Sequence, residues 1–552
     1  MKSLLDDINW EINELDRDSI LKARRTLDCS ELFASLALQR FGDDLSFLAE
    51  EKKIHPPQLL KDLSKAIERI EKALENGEKI FIHGDFDVDG LSSAAIVYRG
   101  LKKTEKVEPE QIKVELGNRE KGHGINYRSG TEIIENDFDL LITTDCGVNA
   151  KKEVSRLKEF GVDTIITDHH KISNGMPEAL AVLNPKRTDD SYPNPGLSGA
   201  GVAYKLMDGL LNRIYPERCA GDLIQLAMLG TVADLSPLIV KGDGENKEIV
   251  KKGLEELEEE PILGLSYLLD QASVKKPFST RDISFLLAPK LNAANRVGDP
   301  RVGFLLLTSK RTSRVEHLAN ILNDYNKDRS SLQQGIISEA KKQLKDRGGT
   351  TDEQGIIFVS GENWNPGIIG LVASRVSEKY GLPAAAISLT SSKCKGSIRS
   401  PGEIDIEEGL KHCSKDLDKF GGHASAGGFT LKRNKISVFK DRLRNWVKNN
   451  RKENKEAPKR RIDARLEIDD ISFSSCNEIK ELGPFGVANP KPIFMMKDLK
   501  LESAKLVGKN ENHLKLQVKK RGKIIDGIGF GMDEEVLEEI RKQKILNPVF
   551  KL

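Results

Sequence analysis

The segment His83-Gly-Asp-Phe-Asp-Val-Asp-Gly90 places three carboxylates and an imidazole just after the apolar run Lys79-Ile-Phe-Ile82. Asp85, Asp87 and Asp89 stand at alternate positions and repel one another unless a cation holds them. Carboxylate oxygens joined by imidazole suit Mn²⁺ or Mg²⁺ better than a thiolate-loving metal. A solvated acidic turn or an Asp-rich Ca²⁺ loop has a similar composition. The Ca²⁺ loop, however, needs a glycine midway and a closing Glu. Here Gly90 leads into Leu91-Ser-Ser-Ala-Ala-Ile-Val97, which reads as a tight turn into a helix.

Further segments repeat the arrangement. Phe138-Asp-Leu-Leu-Ile-Thr-Thr-Asp145 is an apolar strand ending in an acid and followed by Cys146-Gly147. Val162-Asp-Thr-Ile-Ile-Thr-Asp168 ends in Asp168-His169-His170, and Leu226-Ala-Met-Leu-Gly-Thr-Val-Ala-Asp234 is a fourth candidate of the same kind. Singly, each Asp reads as a helix N-cap and the paired histidines as exposed. Together they match an open parallel α/β sheet, whose ligands lie beyond the carboxyl ends of the strands. Cys146 invites a nucleophile reading that a cation-activated water makes unnecessary.

The elements that must position these groups follow from periodicity. Residues 1–55 are mostly helical in pattern. An amphipathic helix over 56–78 leads into the first strand of an α/β domain, residues 56–310, with a doubly wound parallel sheet. A connecting helix spans 311–347 without proline. A second α/β unit covers 348–450 and includes the strand Gly355-Ile-Ile-Phe-Val-Ser360. The charged stretch from Asn449 to Pro458 is a linker. Short alternating strands over 459–552, such as His513-Leu-Lys-Leu-Gln-Val518, fit an OB-like β-barrel among other small β folds.

The 552 residues are 38% hydrophobic and 31% charged, and no run is long and apolar enough for a transmembrane helix. The N-terminus has no secretory signal pattern. Six cysteines, Cys29, Cys146, Cys219, Cys394, Cys413 and Cys476, form no CxxC pair, as expected of reduced thiols in a cytoplasm. A net charge of +2 does not advertise nucleic-acid binding. The basic stretch from Asp441 to Arg461 reads first as a solvated helix end with linker, and second as a nucleic-acid contact.

Asp168-His169-His170 and the segments that partner it resemble the DHH phosphoesterases. Gly421-Gly-His-Ala-Ser-Ala-Gly-Gly428 resembles the glycine-rich signature of the accompanying DHHA1 domain. Pro289-Lys-Leu-Asn-Ala-Ala-Asn-Arg296, the stretch from Trp364 to Arg375, Gly396-Ser-Ile-Arg-Ser400 and Leu482-Gly-Pro-Phe-Gly-Val-Ala-Asn-Pro490 narrow the resemblance to the RecJ family. The likeness runs from near Leu60 almost to the C-terminus, in the family's order.

The resemblance implies a 5′→3′ exonuclease of single-stranded DNA in repair and recombination, with a two-metal mechanism and a metal-activated water. It implies Asp145 as the bridge between two divalent cations, Mn²⁺ or Mg²⁺. His83, Asp87 and Asp145 would hold one, and Asp89, Asp145, His169 and Asp234 the other. Asp85 lies beside them, Asp168 would orient an imidazole, and His170 would face the scissile phosphate. The second lobe would capture substrate through Ser397, Arg399, Ser400, Gly421, Gly422 and His423, suited to a 5′-terminal phosphate. Arg119, Arg296 and Arg375 are further phosphate candidates. The implied partners are single-stranded DNA and a single-strand-binding protein or helicase, with the chain a monomer away from membranes.

Relatives of the same superfamily act on oligonucleotides or cyclic dinucleotides. The C-terminal OB-like unit, whose usual work is holding a strand, weighs against that alternative. A nucleic-acid-binding scaffold with a dead site is the other, and the complete ligand set weighs against it. Two positions depart from the family pattern: Asn295, usually Gly, and Asn365, usually His. Asn tolerates left-handed backbone angles, so the first change is expected to be mild. The second is expected to remove a contact.

Overall fold

Five strands form one parallel sheet: β1 (Ile80–Gly84), β2 (Ile112–Leu116), β3 (Leu140–Thr144), β4 (Asp163–Thr167) and β5 (Ala181–Leu183), in the order β2-β1-β3-β4-β5. The computed structural model describes residues 9–13, 15–49, 54–117, 124–173, 175–215, 221–346, 355–402, 404–451, 459–508 and 511–552. β1, β3, β4 and β5 are buried on both faces, which is why they read as apolar runs, whereas edge strand β2 alternates with Lys113 and Glu115. Ile80 and Ile82 pack in one core with α1 (Leu63–Asn76) and α2 (Val88–Lys103). Phe81 and Leu141 point the other way, to Ile133 of α3 (Tyr127–Glu135) and Leu157 of α4 (Lys151–Glu159). The chain therefore winds on both sides of the sheet, and its order reverses between β1 and β3. That switch point is where a ligand crevice opens in such sheets.

Two buried helices, α5 (Gly199–Ile214) and α6 (Gly221–Ala233), close the first core. The Leu226-to-Asp234 stretch is thus the end of helix α6 and not a fourth strand. A wholly buried helix is apolar all round, so its sequence shows no period to separate it from a buried strand. Helix α7 (Ala288–Val297) and the long α8 (Thr312–Asp346) follow and lead to the second lobe.

That lobe is a mixed sheet of β6 (Ile357–Glu362), β7 (Ala384–Leu389), β8 (Lys393–Arg399), β9 (Lys419–His423) and β10 (Ala426–Lys432), ordered β9-β10-β8-β7-β6. Helix α9 (Ile369–Tyr380) packs on it through Val372, Ala373 and Val376. Only β6 and β7 are parallel; the other pairs are antiparallel.

The C-terminal region holds a four-stranded sheet, built largely from Leu499–Val507, His513–Lys520 and Lys523–Phe530, beside a three-stranded one. It shares its core with the N-terminus. Leu36, Ala37 and Phe41 pack with Leu466, Leu482 and Phe494, and Asn9–Ile12 pairs in parallel with Lys459–Ile462. The basic triplet Lys459-Arg460-Arg461 is therefore part of a strand, with Arg460 over the Trp10 ring; residues 452–458 of the expected linker lie outside the described residues. No helix among the described residues is long and apolar enough to cross a membrane.

Candidate metal centre

Strand register brings the acids together. Gly84, Thr144 and Thr167 are paired neighbours on β1, β3 and β4. The ladder runs one residue further: Asp85 N donates to Thr144 O (3.2 Å), Asp145 N to Thr167 O (2.8 Å) and Asp168 N to Leu183 O (3.0 Å). Asp85, Asp145 and Asp168 therefore leave the sheet at one level, on three adjacent strands. All three are buried. Asp145 has φ 57°, the left-handed region that Asp enters more readily than most residues.

Asp87 caps α2, its Oδ1 accepting from Asp89 N (3.0 Å) and Gly90 N (3.1 Å). Asp89, on the first turn, is buried against the start of α5. Its carboxylate accepts from Gly199 N (2.7 Å) and Ala200 N (2.9 Å), where the helix dipole favours an anion. Glycine is required at this approach, because a Cβ on Gly199 would stand 2.4 Å from Asp145 Oδ1. Gly230 of α6 is equally close, its Cβ position lying 2.4 Å from Asp89 Oδ1. Asp234 follows α6 and is exposed, with Ser236 Oγ donating to its Oδ2 at 2.8 Å.

Three overlapping groups of side chains bring their ligand atoms within 4.8 Å of one another: Asp85, Asp87 and Asp145; Asp89, His169 and Asp234; Asp145, His169 and His170. Asp145 and His169 link the groups, with His169 Nε2 at 3.2 Å from Asp145 Oδ1 and 3.8 Å from Asp89 Oδ2. His83, on β1, is 1% exposed. Its Nδ1 lies 3.3 Å from Glu115 Oε2, and its Nε2 makes no hydrogen bond. A buried imidazole nitrogen without a partner is costly unless a cation takes it.

Asp168 has a different place. Its Oδ1 accepts from His169 N (2.7 Å), His170 N (2.9 Å) and His170 Nδ1 (2.8 Å), and its Oδ2 from Val148 N (3.0 Å). Three donors on Oδ1 fix both histidines, and Val148 N holds Oδ2.

The electrostatics agree. Burial, then the charges of neighbouring acids, pushes the Asp89 and Asp145 carboxyls well above the usual range. Burial and the His170 charge hold His169 down at about 4. The hydrogen bond that His170 donates to Asp168 lifts it to about 9 against the opposing effect of burial. Without cations the cluster is thus frustrated. The donors are oxygen and imidazole, which fits hard divalent cations. Cys146 Sγ contacts His83 O (3.8 Å), and burial pushes its thiol up, which suits a packing role and not a nucleophile.

A cavity of about 190 Å³ opens on this centre, lined by Asp87, Asp89, Asp234, Asn292 and Arg296 among others. Arg296 Nη1 donates to Gly367 O (2.8 Å), joining α7 to the second lobe. Asn295 lies in helix α7, so no left-handed angle is involved. Its Nδ2 donates to Phe86 O (2.9 Å), between two acids of the cluster. Asn365 Oδ1 accepts from Gly367 N (2.7 Å), so that side chain shapes the turn into α9. Arg375 lies on the solvent side of α9, 3.7 Å from Glu378. Arg119 lies outside the described residues.

On the second lobe, Arg399 Nη1 donates to Ser397 Oγ (2.9 Å), and both face Gly370 on the first turn of α9. The Gly421-to-Gly428 stretch is a β-hairpin. Gly421 pairs with Gly428, which pairs with Ser397, and His423 pairs with Ala426, which pairs with Arg399. Glycine is needed at two of these positions: a Cβ on Gly422 would stand 2.3 Å from Ala426 O and one on Gly427 2.6 Å from Leu410 Cδ1. His423 is exposed with Nδ1 3.0 Å from Ser425 Oγ, and Ser400 N donates to Ser425 O (2.9 Å).

Sequence reasoning missed Ser198-Gly199-Ala200, Asn292 and Glu115. The signal for the first was a Ser N-cap followed by small residues, Ser198-Gly-Ala-Gly201, which marks a helix start open to close approach.

Comparison with known proteins agrees over the whole chain. The DHH family N-terminal domain matches residues 79–231, the DHHA1 domain 353–449 and the RecJ OB domain 462–552. The single-stranded-DNA-specific exonuclease RecJ of Bacillus subtilis (strain 168) is 32% identical over 540 residues, covering 96% of this chain and 67% of that protein. Its counterpart in Salmonella typhimurium is 30% identical over 510 residues, covering 87% of this chain and 85% of that one. The chain belongs to the RecJ family. The crystal structure of Thermus thermophilus RecJ in complex with Mn²⁺ superimposes with a TM-score of 0.83 at 25% identity, covering 100% of this chain and 77% of that one. An exonuclease RecJ bound to manganese matches with a TM-score of 0.61 at 31% identity, covering 70% and 95%. The RecJ family's fold is thus present from the parallel sheet to the OB domain.

Proposed function

We propose that this chain is a divalent-cation-dependent exonuclease that hydrolyses single-stranded DNA from its 5′ end, in DNA repair and recombination. The observation that carries the proposal is the pair of ligand clusters joined through Asp145 and His169 at the switch point of the sheet. His83, Asp87 and Asp145 would hold one Mn²⁺ or Mg²⁺, and Asp89, Asp145, His169 and Asp234 the other, with Asp85 beside them. Bound there, such a pair of cations acidifies water and neutralises charge on the phosphoryl oxygens.

The chain's own residues do the rest. Asp168 fixes the ring of His170 through Nδ1, leaving Nε2 for the substrate. A half-exposed imidazole lifted to about 9 carries a proton at neutral pH, so His170 can donate a hydrogen bond to the scissile phosphate or a proton to the departing oxygen. Cations nearby would oppose that charge. Arg296 holds the two lobes together beside the cavity. Ser397 and Arg399, at the opening of α9, would bind a 5′-terminal phosphate through a hydroxyl, a guanidinium and helix N–H groups.

All these ligands come from one chain, which supports a monomer. A DNA substrate supports a cytoplasmic location. The natural partners are then a helicase or single-strand-binding protein that supplies the strand. Digestion of 5′-labelled and 3′-labelled single strands with Mn²⁺, Mg²⁺ or chelator tests the proposal. Expected is loss of the 5′ label first, in Mn²⁺ or Mg²⁺ only. Release from the 3′ end, or cleavage in chelator, would overturn it.

A further inference from the structure

Asp234 is the proposed ligand that no strand end or buried turn delivers. It lies at the exposed start of the loop that follows α6, and a carboxylate on such a loop needs external support to be pre-organised. Part of that support is local. Ser236 N donates to Thr231 O (3.1 Å), and Asn246 Nδ2 to Pro237 O (2.8 Å). The rest comes from far along the chain. Leu238 N donates to Val487 O (2.9 Å), within the Leu482–Pro490 segment of the C-terminal region.

That segment folds into a closed knob. Asn489 is wholly buried, and its Nδ2 donates to Leu482 O (2.8 Å) and Pro484 O (2.9 Å). Gly486 and Asn489 exchange backbone hydrogen bonds of 2.9 and 3.2 Å. Arg40 Nε, on an N-terminal helix, donates to Asn489 Oδ1 (3.1 Å). The knob is therefore rigid by itself and anchored from behind.

Its front contacts the two chain segments that lead to opposite walls of the metal cavity. On one side Gly486 packs against Leu238, so closely that a Cβ would stand 2.9 Å from Leu238 Cδ1. On the other, Thr280 Oγ1 donates to Phe485 O (2.6 Å). Thr280 opens the helical run that continues through Ile283–Leu287 into α7, which carries Asn292 and Arg296. One rigid body thus holds the Asp234 loop and the opposite wall at a fixed spacing.

We propose that the Leu482–Pro490 knob is a positioning element for the Asp89–His169–Asp234 half of the metal centre, coupling the C-terminal region to one cation and not the other. The proposal rests on Asp234 being a ligand. The His83–Asp87–Asp145 half is built on β1, β3 and the start of α2, away from the knob's contacts.

The test is calorimetric titration of Mn²⁺ into the cation-stripped full chain, without DNA. Asp234→Asn should weaken one of two binding events. Gly486→Ala, which wedges a methyl against Leu238, and Thr280→Val, which keeps the shape but loses the hydroxyl, should weaken that same event by about 10- to 100-fold. The other event should stay unchanged, Thr280→Ser should restore the first, and Gly486→Ala should add nothing in the Asp234→Asn background. If Asp234→Asn weakens one event while both knob variants bind as the parent does, or lose both events equally, the knob has no positioning role. If Asp234→Asn leaves both events intact, Asp234 is not a ligand and the knob proposal falls with it.

Discussion

Asp145 Oδ1 stands 3.2 Å from His169 Nε2, at the point where the two ligand clusters meet. Gly199 makes room for that carboxylate, and no other acid of the centre has neighbours in both clusters through His169 and Asp85. Asp145→Asn should therefore abolish cleavage and weaken both Mn²⁺ binding events while the fold persists. Asp85→Ala should be milder, because Asp85 belongs to one cluster only. Near-normal turnover in the Asp145 variant, with both cations bound, would refute the shared-ligand assignment.

The crowding of buried acids has a consequence for stability. In the cation-free protein, Asp89 and Asp145 keep protons that the unfolded chain has released above its ordinary carboxylate value of 3.8. Folding then takes up protons, so stability falls as pH rises. His170, raised to about 9, acts in the same direction: its contribution is full below 6.5 and is lost as pH passes through 9. His169, held at about 4, has the opposite sign, but its penalty is gone above 6.5. Between about pH 7 and 9 the melting temperature in chelator should therefore drop. Mn²⁺ should raise it, and the gain should widen with pH, because bound cations displace the protons. A melting temperature in chelator that is flat or rising over that range would contradict this account.

Asp168 supports the histidines through four hydrogen bonds, three of them to Oδ1. Asp168→Asn keeps the shape but sets an NH₂ group against either the His170 ring or Val148 N–H. Activity or cation affinity should fall by about 10- to 100-fold, the usual effect of losing the group that orients a ligand. The His170 value should also move down from about 9, because its hydrogen bond to Asp168 is the largest cause of the rise. Titration of His170 followed by NMR checks this directly, and an unmoved value would separate Asp168 from His170.

Much of this centre was legible in the chain because strand ends announce themselves. β1, β3 and β4 are apolar runs that stop at an acid, and register then does the rest. Asp234 was found for a partly wrong reason: its segment has the composition of a buried strand and the structure of a buried helix. The glycine-rich Gly421–Gly428 stretch has no alternating apolar pattern, so its strands in the second lobe's sheet leave no signal in the sequence. What could not be read at all was the pairing of the N-terminal helices with the C-terminal region. Contacts such as Arg40 to Asn489 span most of the chain and leave no local pattern.

Arg399 offers the clearest test of end recognition. Its guanidinium is already oriented by Ser397 Oγ beside the first turn of α9. Arg399→Ala should raise KM for 5′-phosphorylated strands and narrow their advantage over 5′-hydroxyl strands, because charge-assisted hydrogen bonds are roughly twice as strong as neutral ones. Mn²⁺ affinity should not change, since Arg399 belongs to the other lobe. An unchanged preference for the phosphorylated end would move end recognition elsewhere, with Arg296 and Arg375 the next candidates.

The C-terminal sheet cannot be tested by removing it. A truncation near Lys455 would strip the partner from Leu36 and Phe41 and remove the segment that holds Leu238, so the nuclease domain itself would suffer. Point changes avoid this. Phe530 is 72% exposed and lies 5.3 Å, edge to face, from His513. Ile528 and Ile524 are exposed on the same side of that strand, and Lys515 and Lys519 are their partners on the next. Asp526 lies between Ile524 and Ile528 on that side, 3.3 Å from Lys515 Nζ, so the face is mixed in charge; its open aromatic ring is what base stacking requires. Phe530→Ala should weaken binding of long single strands by about 1–3 kcal/mol if one base stacks there. Cleavage of strands too short to span from the metal centre to this sheet should be unaffected. Equal loss on short and long strands, measured at matched salt, would mean that Phe530 supports the fold and does not touch DNA.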